Sequence, residues 1–207
     1  MANAATPVVL LHGCSGSVRA AFEMPGWIEA FTRTGRAVVA PDLPGHGWRT
    51  VSHDPADYAD LAGEVASQLP PGCFDAVGFS LGAKLVLELA LRDPARWRRL
   101  VLGAVGDNVF APEVVAPIAA EALESPQSAA ANHPAVRVML QHWDPSLNDA
   151  RAVAAVLRRP PNPVFTPERL RALAVPVVVV KDGGGPLAKR GGRRPAGGRT
   201  RRFSAQA

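Results

Sequence analysis

The segment G-F-S-L-G at residues 78–82, called the elbow below, has the clearest chemical potential in this chain. It follows an apolar run at residues 74–77 and precedes a helical pattern over residues 81–91, which predicts a strand, a sharp turn and a helix. A serine on such a turn projects its hydroxyl clear of the backbone, and flanking glycines let the strand and helix approach closely. Ser80 is therefore a candidate nucleophile; the other interpretation is an ordinary glycine-rich turn.

The elements that must position this serine follow a repeating order along the chain. Apolar runs at residues 8–11, 37–40, 100–102 and 177–180 predict strands, and residues 20–34 and 57–69 have helical periodicity. Alternating strands and helices with almost wholly apolar strands are typical of parallel sheets. We predict an α/β fold, with a mostly parallel sheet and helices on both faces. Lys84 and Glu88, four residues apart on the helix after Ser80, are expected to form a side-chain pair.

Residues 109–163 differ from the rest and are called the lid. They are rich in Ala and Val with helical periodicity that is broken near residues 125, 133 and 144. This pattern predicts two or three short helices over the carboxyl ends of the strands. After the lid, Thr166 precedes Pro167 and an acid, which is a typical helix start with Thr166 as its N-cap.

The character of the chain changes again after residue 180. Residues 181–207 hold eight basic residues and one acid, so they carry a charge of +7, whereas residues 1–180 carry −2 of the overall +5. We expect one α/β domain at residues 1–180 and a disordered basic Gly/Arg-rich tail at 181–207. Because the positive charge lies in the tail, it does not indicate a nucleic-acid-binding surface.

Composition excludes several other classes of protein. A chain of 207 residues with 47% apolar residues suits one globular domain. The apolar runs are too short to span a bilayer, and no basic segment precedes the first one as in a signal peptide. Two cysteines predict reduced thiols and a cytoplasmic location. No motif for a nucleotide, metal or other cofactor is present, so we expect a small-molecule substrate, no nucleic-acid or membrane partner, and leave the oligomeric state open.

Four motifs in order resemble the α/β-hydrolase family over about residues 7–182: L-L-H-G at 10–13, D-L-P-G-H-G at 42–47, the elbow, and the later strands at 100–102 and 175–180. The resemblance implies that Ser80 is the nucleophile. It also implies that the backbone N–H groups of Cys14 and Leu81 form the oxyanion hole. His12 and His46 are expected to have structural roles.

The chain departs from the family in the rest of the catalytic set. A serine needs a base to accept its proton and a third group to orient that base. The family order is serine, acid, histidine, but no histidine follows His142 here. Asp107, after the fourth strand, and Asp182, after the fifth, are candidate acids between which the sequence does not choose. His142 would keep the family order but lies in the lid.

Three hypotheses follow. The first is a serine hydrolase of small esters or thioesters, with its activity left open by the missing histidine. The second is other chemistry on the same scaffold: C–C bond hydrolysis, lactone opening or a lyase reaction. The third is a non-catalytic ligand-binding protein or a damaged homologue, because a frameshift or truncation near residue 181 would explain the change of composition.

Overall fold

In the part of the chain that the structure describes, six strands form one sheet in the order β2-β1-β3-β4-β5-β6. The structure is a computed structural model that describes residues 5–47, 51–141, 143–162 and 164–180, and the backbone of residues 200–203. The strands are β1 Val8–Leu11, β2 Val38–Val39, β3 Phe74–Phe79, β4 Trp97–Gly103, β5 Val177–Val180 and β6 Thr200–Phe203. The first five are parallel, and β6 pairs antiparallel with β5. The prediction of a mostly parallel sheet is confirmed.

Helices connect the strands. They are α1 Trp27–Thr32, α2 Leu61–Ser67, α3 Leu81–Arg92, α4 Ala116–Glu124, α5 Pro134–Met139, α6 Ala150–Arg158 and α7 Pro167–Arg171, with a π-helix at Arg19–Glu23 and 3-10 turns between them. As predicted, Thr166 caps α7, because its side chain accepts a hydrogen bond from the Arg169 amide. None of the helices in the described ranges is long and apolar enough to cross a bilayer.

Helices cover both faces of the sheet, as the apolar strands predict. Side chains alternate between faces along a strand. In β1, Val8 and Leu10 pack with Phe22 of the π-helix, whereas Val9 and Leu11 belong to the larger core formed with α2 and α3. Both faces are therefore buried, which is why this strand is uniformly apolar.

The register of the strands brings the functional loops to one edge. Leu11 of β1 lies opposite Gly78 of β3, and Phe79 lies opposite Gly103 of β4. From β1 the chain continues to β2 on one side of the sheet, whereas from β3 it continues to β4 on the other side. The loops that follow β1 and β3 therefore lead in opposite directions and leave a crevice between them at the carboxyl edge, where ligands bind in open α/β sheets. Ser80 stands at this position.

The lid contains α4, α5 and α6, which share an apolar cluster of their own, including Ala119, Val136 and Val153. The chain enters and leaves the lid at adjacent points, because the Phe165 amide donates to the Val109 carbonyl at 3.1 Å. The lid also contacts the loops at the carboxyl edge. The Gly47 amide, after β2, donates to Asn148 Oδ1 at 3.0 Å.

Two predictions need correction. The tail at 181–207, predicted to be disordered, contains one strand, because Thr200–Phe203 form β6. Pairing there satisfies backbone groups that an unpaired β5 edge would expose. The remaining tail residues, 181–199 and 204–207, lie outside the described residues. The expected Lys84–Glu88 pair does not form: Glu88 instead pairs with Arg92 and Arg169.

Candidate active site

The elbow holds Ser80 in a conformation that ordinary residues avoid. Ser80 lies between β3 and α3. Its φ of 52° is left-handed, and its ψ is −111°. The Ser80 amide donates to the Gly103 carbonyl at 2.9 Å, and its carbonyl accepts from the Lys84 amide at 3.1 Å. The side chain makes no capping hydrogen bond to α3, although Ser80 is the residue at its N-cap position. The backbone is thus fixed while the hydroxyl is left for other partners.

The two glycines of the elbow are required by close contact. A Cβ atom on Gly78 would lie 2.6 Å from the Cα atom of Ala83. A Cβ atom on Gly82 would lie 2.5 Å from the His12 carbonyl oxygen and closer still to that of Leu11. Because these neighbours are backbone atoms in a packed core, they cannot move away as the end of a flexible side chain could. The turn therefore presses α3 against the end of β1, as the motif predicts.

The oxyanion loop, residues 13–16, starts beside Ser80. A Cβ atom on Gly13 would lie 3.4 Å from the Ser80 Cβ atom. The loop is a turn closed by the Gly16 amide, which donates to the Gly13 carbonyl at 3.1 Å, and Cys14 is its second residue. Burial raises the pKa of the Cys14 thiol to about 12, so the side chain is neutral and any role of Cys14 falls to its backbone.

The second predicted oxyanion donor is the Leu81 amide. Leu81 is the first residue of α3, where a backbone N–H has no partner within the helix and the helix dipole favours negative charge. Within the described residues, neither this amide nor that of Cys14 donates to another protein group. The structure brings the two segments together, and the oxyanion role of the amides stays a prediction.

His12 is buried and fully hydrogen-bonded. Its Nε2 accepts from the Leu43 amide at 3.0 Å, so Nδ1 carries the proton and donates to the Gly13 carbonyl at 2.8 Å. The ring thereby joins the end of β1 to the loop after β2. Both nitrogens are occupied, which fits the expected structural role and leaves neither for Ser80.

His46 has the same kind of role. Its Nε2 accepts from the Ser15 amide at 3.3 Å, and its Nδ1 lies 3.1 Å from the Pro44 carbonyl, to which it donates. Burial lowers the pKa of His46 to about 3. The ring is therefore neutral at physiological pH and holds the oxyanion loop against the loop after β2.

The structure does not bring a candidate acid and a candidate base together in the described residues. Asp107 is exposed and opens the 3-10 turn Asp107–Phe110 beyond β4, but no hydrogen bond or ion pair joins it to a histidine in the described part of the chain. Asp182 and His142 lie outside the described residues. The roles of all three stay predictions.

Sequence reasoning missed a charged cluster between α3 and the lid. Lys84 Nζ lies 2.8 Å from Glu113 Oε1, and Arg159 lies 3.4 Å from the other oxygen of Glu113. The Arg159 residue is only 5% exposed, its Nη1 donates to the Val156 carbonyl, and its buried Nε has no partner in the structure. With two cations and one anion, the cluster carries an excess positive charge. No local pattern signals it, because its members are far apart in the chain.

The cluster lies within electrostatic range of the oxyanion loop. Burial is the main cause of the raised pKa of the Cys14 thiol, the positive charge of Arg159 opposes it, and the negative charge of Glu113 adds to it. Among the described residues, no group of three or more His, Cys, Asp or Glu side chains is arranged to hold a metal ion.

The strained serine between strand and helix, on a parallel sheet covered by helices, defines an α/β-hydrolase architecture. The sequence pattern of the alpha/beta hydrolase fold family matches residues 6–148. The chain belongs to this family, as the four motifs indicate.

Particular relatives match parts of the chain. A 2-hydroxy-6-oxo-2,4-heptadienoate hydrolase of Pseudomonas putida is 39% identical over 110 residues, which are 50% of this chain and 39% of that protein. A pimeloyl-(acyl-carrier protein) methyl ester esterase of Nitrosospira multiformis is 40% identical over 70 residues, 30% of this chain and 25% of that protein. The chain thus spans less than half the length of these two relatives.

Solved structures share the fold over more of the chain. NosK from Streptomyces actuosus is 26% identical, with a TM-score of 0.56 over 86% of this chain and 76% of that one. The esterase RhEst1 from a Rhodococcus species is 21% identical, with a TM-score of 0.59 over 86% of this chain and 72% of that one. At 21% identity, the second likeness supports the fold alone.

Proposed function

We propose that the chain is a serine hydrolase that cleaves a small ester or thioester. The observation that carries the proposal is the left-handed φ of Ser80 at the carboxyl edge of the sheet, beside the oxyanion loop. Strain of this kind is kept at sites where a side chain must be held in one direction. The match to a methyl ester esterase over 70 residues also favours this chemistry.

The proposed reaction has two stages. A base accepts the Ser80 hydroxyl proton as Oγ attacks the carbonyl carbon, and the amides of Cys14 and Leu81 bind the resulting oxyanion. Collapse of the intermediate transfers the proton from the base to the leaving group, which departs as the alcohol or thiol and leaves an acyl group on Ser80. Water then gives a proton to the base and attacks the acyl group, and the proton returns to Ser80 as the acid leaves.

Hydrolysis of p-nitrophenyl acetate and butyrate tests the proposal, with Ser80→Ala as its matched control. We expect turnover by the wild type and a decrease of about a thousandfold or more in the variant. The variants His142→Ala and Asp107→Asn then test the base and one acid, and Asp182→Asn tests the other. A folded wild type without turnover, or a variant as active as the wild type, contradicts the proposal and favours a non-catalytic ligand-binding protein.

A second candidate function is C–C bond hydrolysis of a substrate that carries a carboxylate. The observation that favours it is the buried Arg159, whose Nε lacks a partner and whose positive charge acts on Cys14. A guanidinium in this state suits a carboxylate, with which it forms paired hydrogen bonds. The partial match to a heptadienoate hydrolase points in the same direction.

Paired substrates distinguish the two candidates. A 2-hydroxy-6-oxo-dienoate and its neutral methyl ester are compared in the wild type and in Arg159→Gln. If the carboxylate binds Arg159, the variant should raise KM for the acid and leave KM for the methyl ester nearly unchanged. Equal effects on both substrates, or no turnover of either by an otherwise active wild type, contradict the second candidate.

A further inference from the structure

Ser15 connects the oxyanion loop to two other parts of the molecule. It is 1% exposed and has a φ of 66°, a left-handed value that residues other than glycine rarely adopt. Its amide donates to His46 Nε2 at 3.3 Å, and its hydroxyl donates to the Met139 carbonyl at 2.8 Å. One partner belongs to the loop after β2 at the sheet edge, and the other belongs to the lid.

The lid partner of Ser15 is a helix end. Met139 is the last residue of α5, where backbone carbonyls lack N–H donors within the helix. The Ser15 hydroxyl supplies the missing donor. This bond joins residues 124 positions apart and links α5 directly to the residue that follows Cys14.

The conformation of Ser15 depends on these two bonds. It is the third residue of the turn closed between Gly13 and Gly16, a position where a left-handed φ strongly favours glycine or asparagine. A serine there is strained unless its surroundings over-determine its conformation. The bonds to His46 and Met139 provide that restraint, so the loop geometry is tied to the position of the lid.

We propose that Ser15 is a positioning residue that couples the lid to the oxyanion loop, so that displacement of the lid moves the Cys14 amide away from Ser80. The role of the Cys14 amide rests on the proposed function, but the coupling itself does not. In this arrangement the oxyanion donors are complete only when α5 is seated on the loop. Substrate binding under the lid would then assemble the site.

Cys14 offers a native reporter of the coupling. It is partly buried and packs against both the main core and the lid cluster, so the seated lid restricts access to its thiol. Burial holds the pKa of this thiol at about 12, and exposure to water would restore its reactivity. Cys73, which is exposed just before β3, should react independently of the lid and serves as an internal reference.

The test measures the rate of alkylation of Cys14 relative to Cys73 with N-ethylmaleimide, by mass spectrometry of the two peptides. Ser15→Gly removes the hydroxyl but tolerates the left-handed φ, and Ser15→Ala removes the hydroxyl alone. Ser17→Ala is the matched control. It deletes a second buried serine hydroxyl in the same region, which accepts from the Ala20 amide at 3.1 Å.

We expect the alkylation ratio to rise about two- to tenfold in both Ser15 variants, as the loss of one buried hydrogen bond allows. In Ser17→Ala the ratio should stay within twofold of the wild type. The proposal is overturned if either folded Ser15 variant has the same alkylation ratio as the wild type. It is also overturned if the ratio rises equally in Ser17→Ala. Because two different substitutions are used, failure of one to fold leaves the other decisive.

Ester hydrolysis gives a second readout. With the oxyanion loop displaced, the Ser15 variants should lower kcat about tenfold or more and change KM little, whereas Ser17→Ala should change neither by more than about twofold. An effect on KM alone overturns the positioning role. A wild type without turnover contradicts the proposed function instead, and the alkylation ratio then decides the coupling by itself.

Discussion

Replacing Ser80 by glycine should stabilise the protein, whereas replacing it by alanine should not. The reason is the backbone of the elbow, where the φ of 52° and ψ of −111° strain any residue that has a Cβ atom. Alanine keeps the Cβ atom and the strain, and glycine removes both. The hydroxyl makes no cap hydrogen bond to α3, so its loss should cost little in either variant.

The size of the effect follows from two opposing contributions. Relief of a strained backbone conformation is worth about 1–3 kcal/mol. The greater freedom of glycine in the unfolded chain removes about 0.4–1 kcal/mol of this gain. The glycine variant should therefore exceed the alanine variant by about 1 kcal/mol in free energy of unfolding, or roughly 2–4 °C in Tm for a chain of this size.

Urea denaturation of both variants measures this difference, with Ser67 as a matched position. Ser67 is an exposed serine at the end of α2. There, in ordinary helical backbone, alanine should exceed glycine by about 1 kcal/mol. The order of the two residues should thus invert between Ser67 and Ser80. An alanine variant at position 80 as stable as the glycine variant would refute the claim that the elbow is strained.

Three further predictions concern packing, pH and charge. Gly82→Ala should lower the free energy of unfolding by about 1–3 kcal/mol, because its Cβ atom would overlap the Leu11 carbonyl. Because the pKa of His46 is about 3 in the folded state and about 6.5 in the unfolded state, acid favours unfolding between these two pH values. In this range the wild type should lose about 1.4 kcal/mol of stability per pH unit that His46→Gln does not lose. Glu113→Gln should cost about 3–5 kcal/mol because it leaves the buried Arg159 and the partly buried Lys84 without their carboxylate. Loss of the exposed pair at Glu124 should cost about 1 kcal/mol or less.

Each of these predictions is measured by chemical denaturation. Gly106→Ala is the control for packing, since a Cβ atom there meets nothing within 4 Å, and an equal loss at both glycines would contradict the packing argument. Parallel pH profiles of the wild type and His46→Gln would rule out a titrating role for His46. Equal costs at Glu113 and Glu124 would mean that burial of the cluster has little energetic effect.

The local parts of the fold were predictable from the sequence. Continuous apolar runs identify β1 and β5, and the elbow motif places Ser80 between β3 and α3. The cap of α7 at Thr166 is equally local. These features depend on neighbouring residues alone, so a short stretch of sequence contains the whole signal.

Features that join distant segments were not predictable in the same way. The spacing of Lys84 and Glu88 suggested a pair, but Glu113 of the lid is the partner of Lys84. The bond from Ser15 to Met139 has no sequence signal, because it depends on where the lid settles. For the same reason, sequence patterns located the lid without showing which of its residues contact the site.

The construction of the lid affects how the specificity of such a protein can evolve. Its core is largely self-contained, and its two ends meet at the hydrogen bond between Phe165 and Val109. A segment with adjacent ends can be exchanged for another of different length without shifting the strands beneath it. New specificities can therefore arise by replacement of this module, while the nucleophile and its supporting turn are inherited intact.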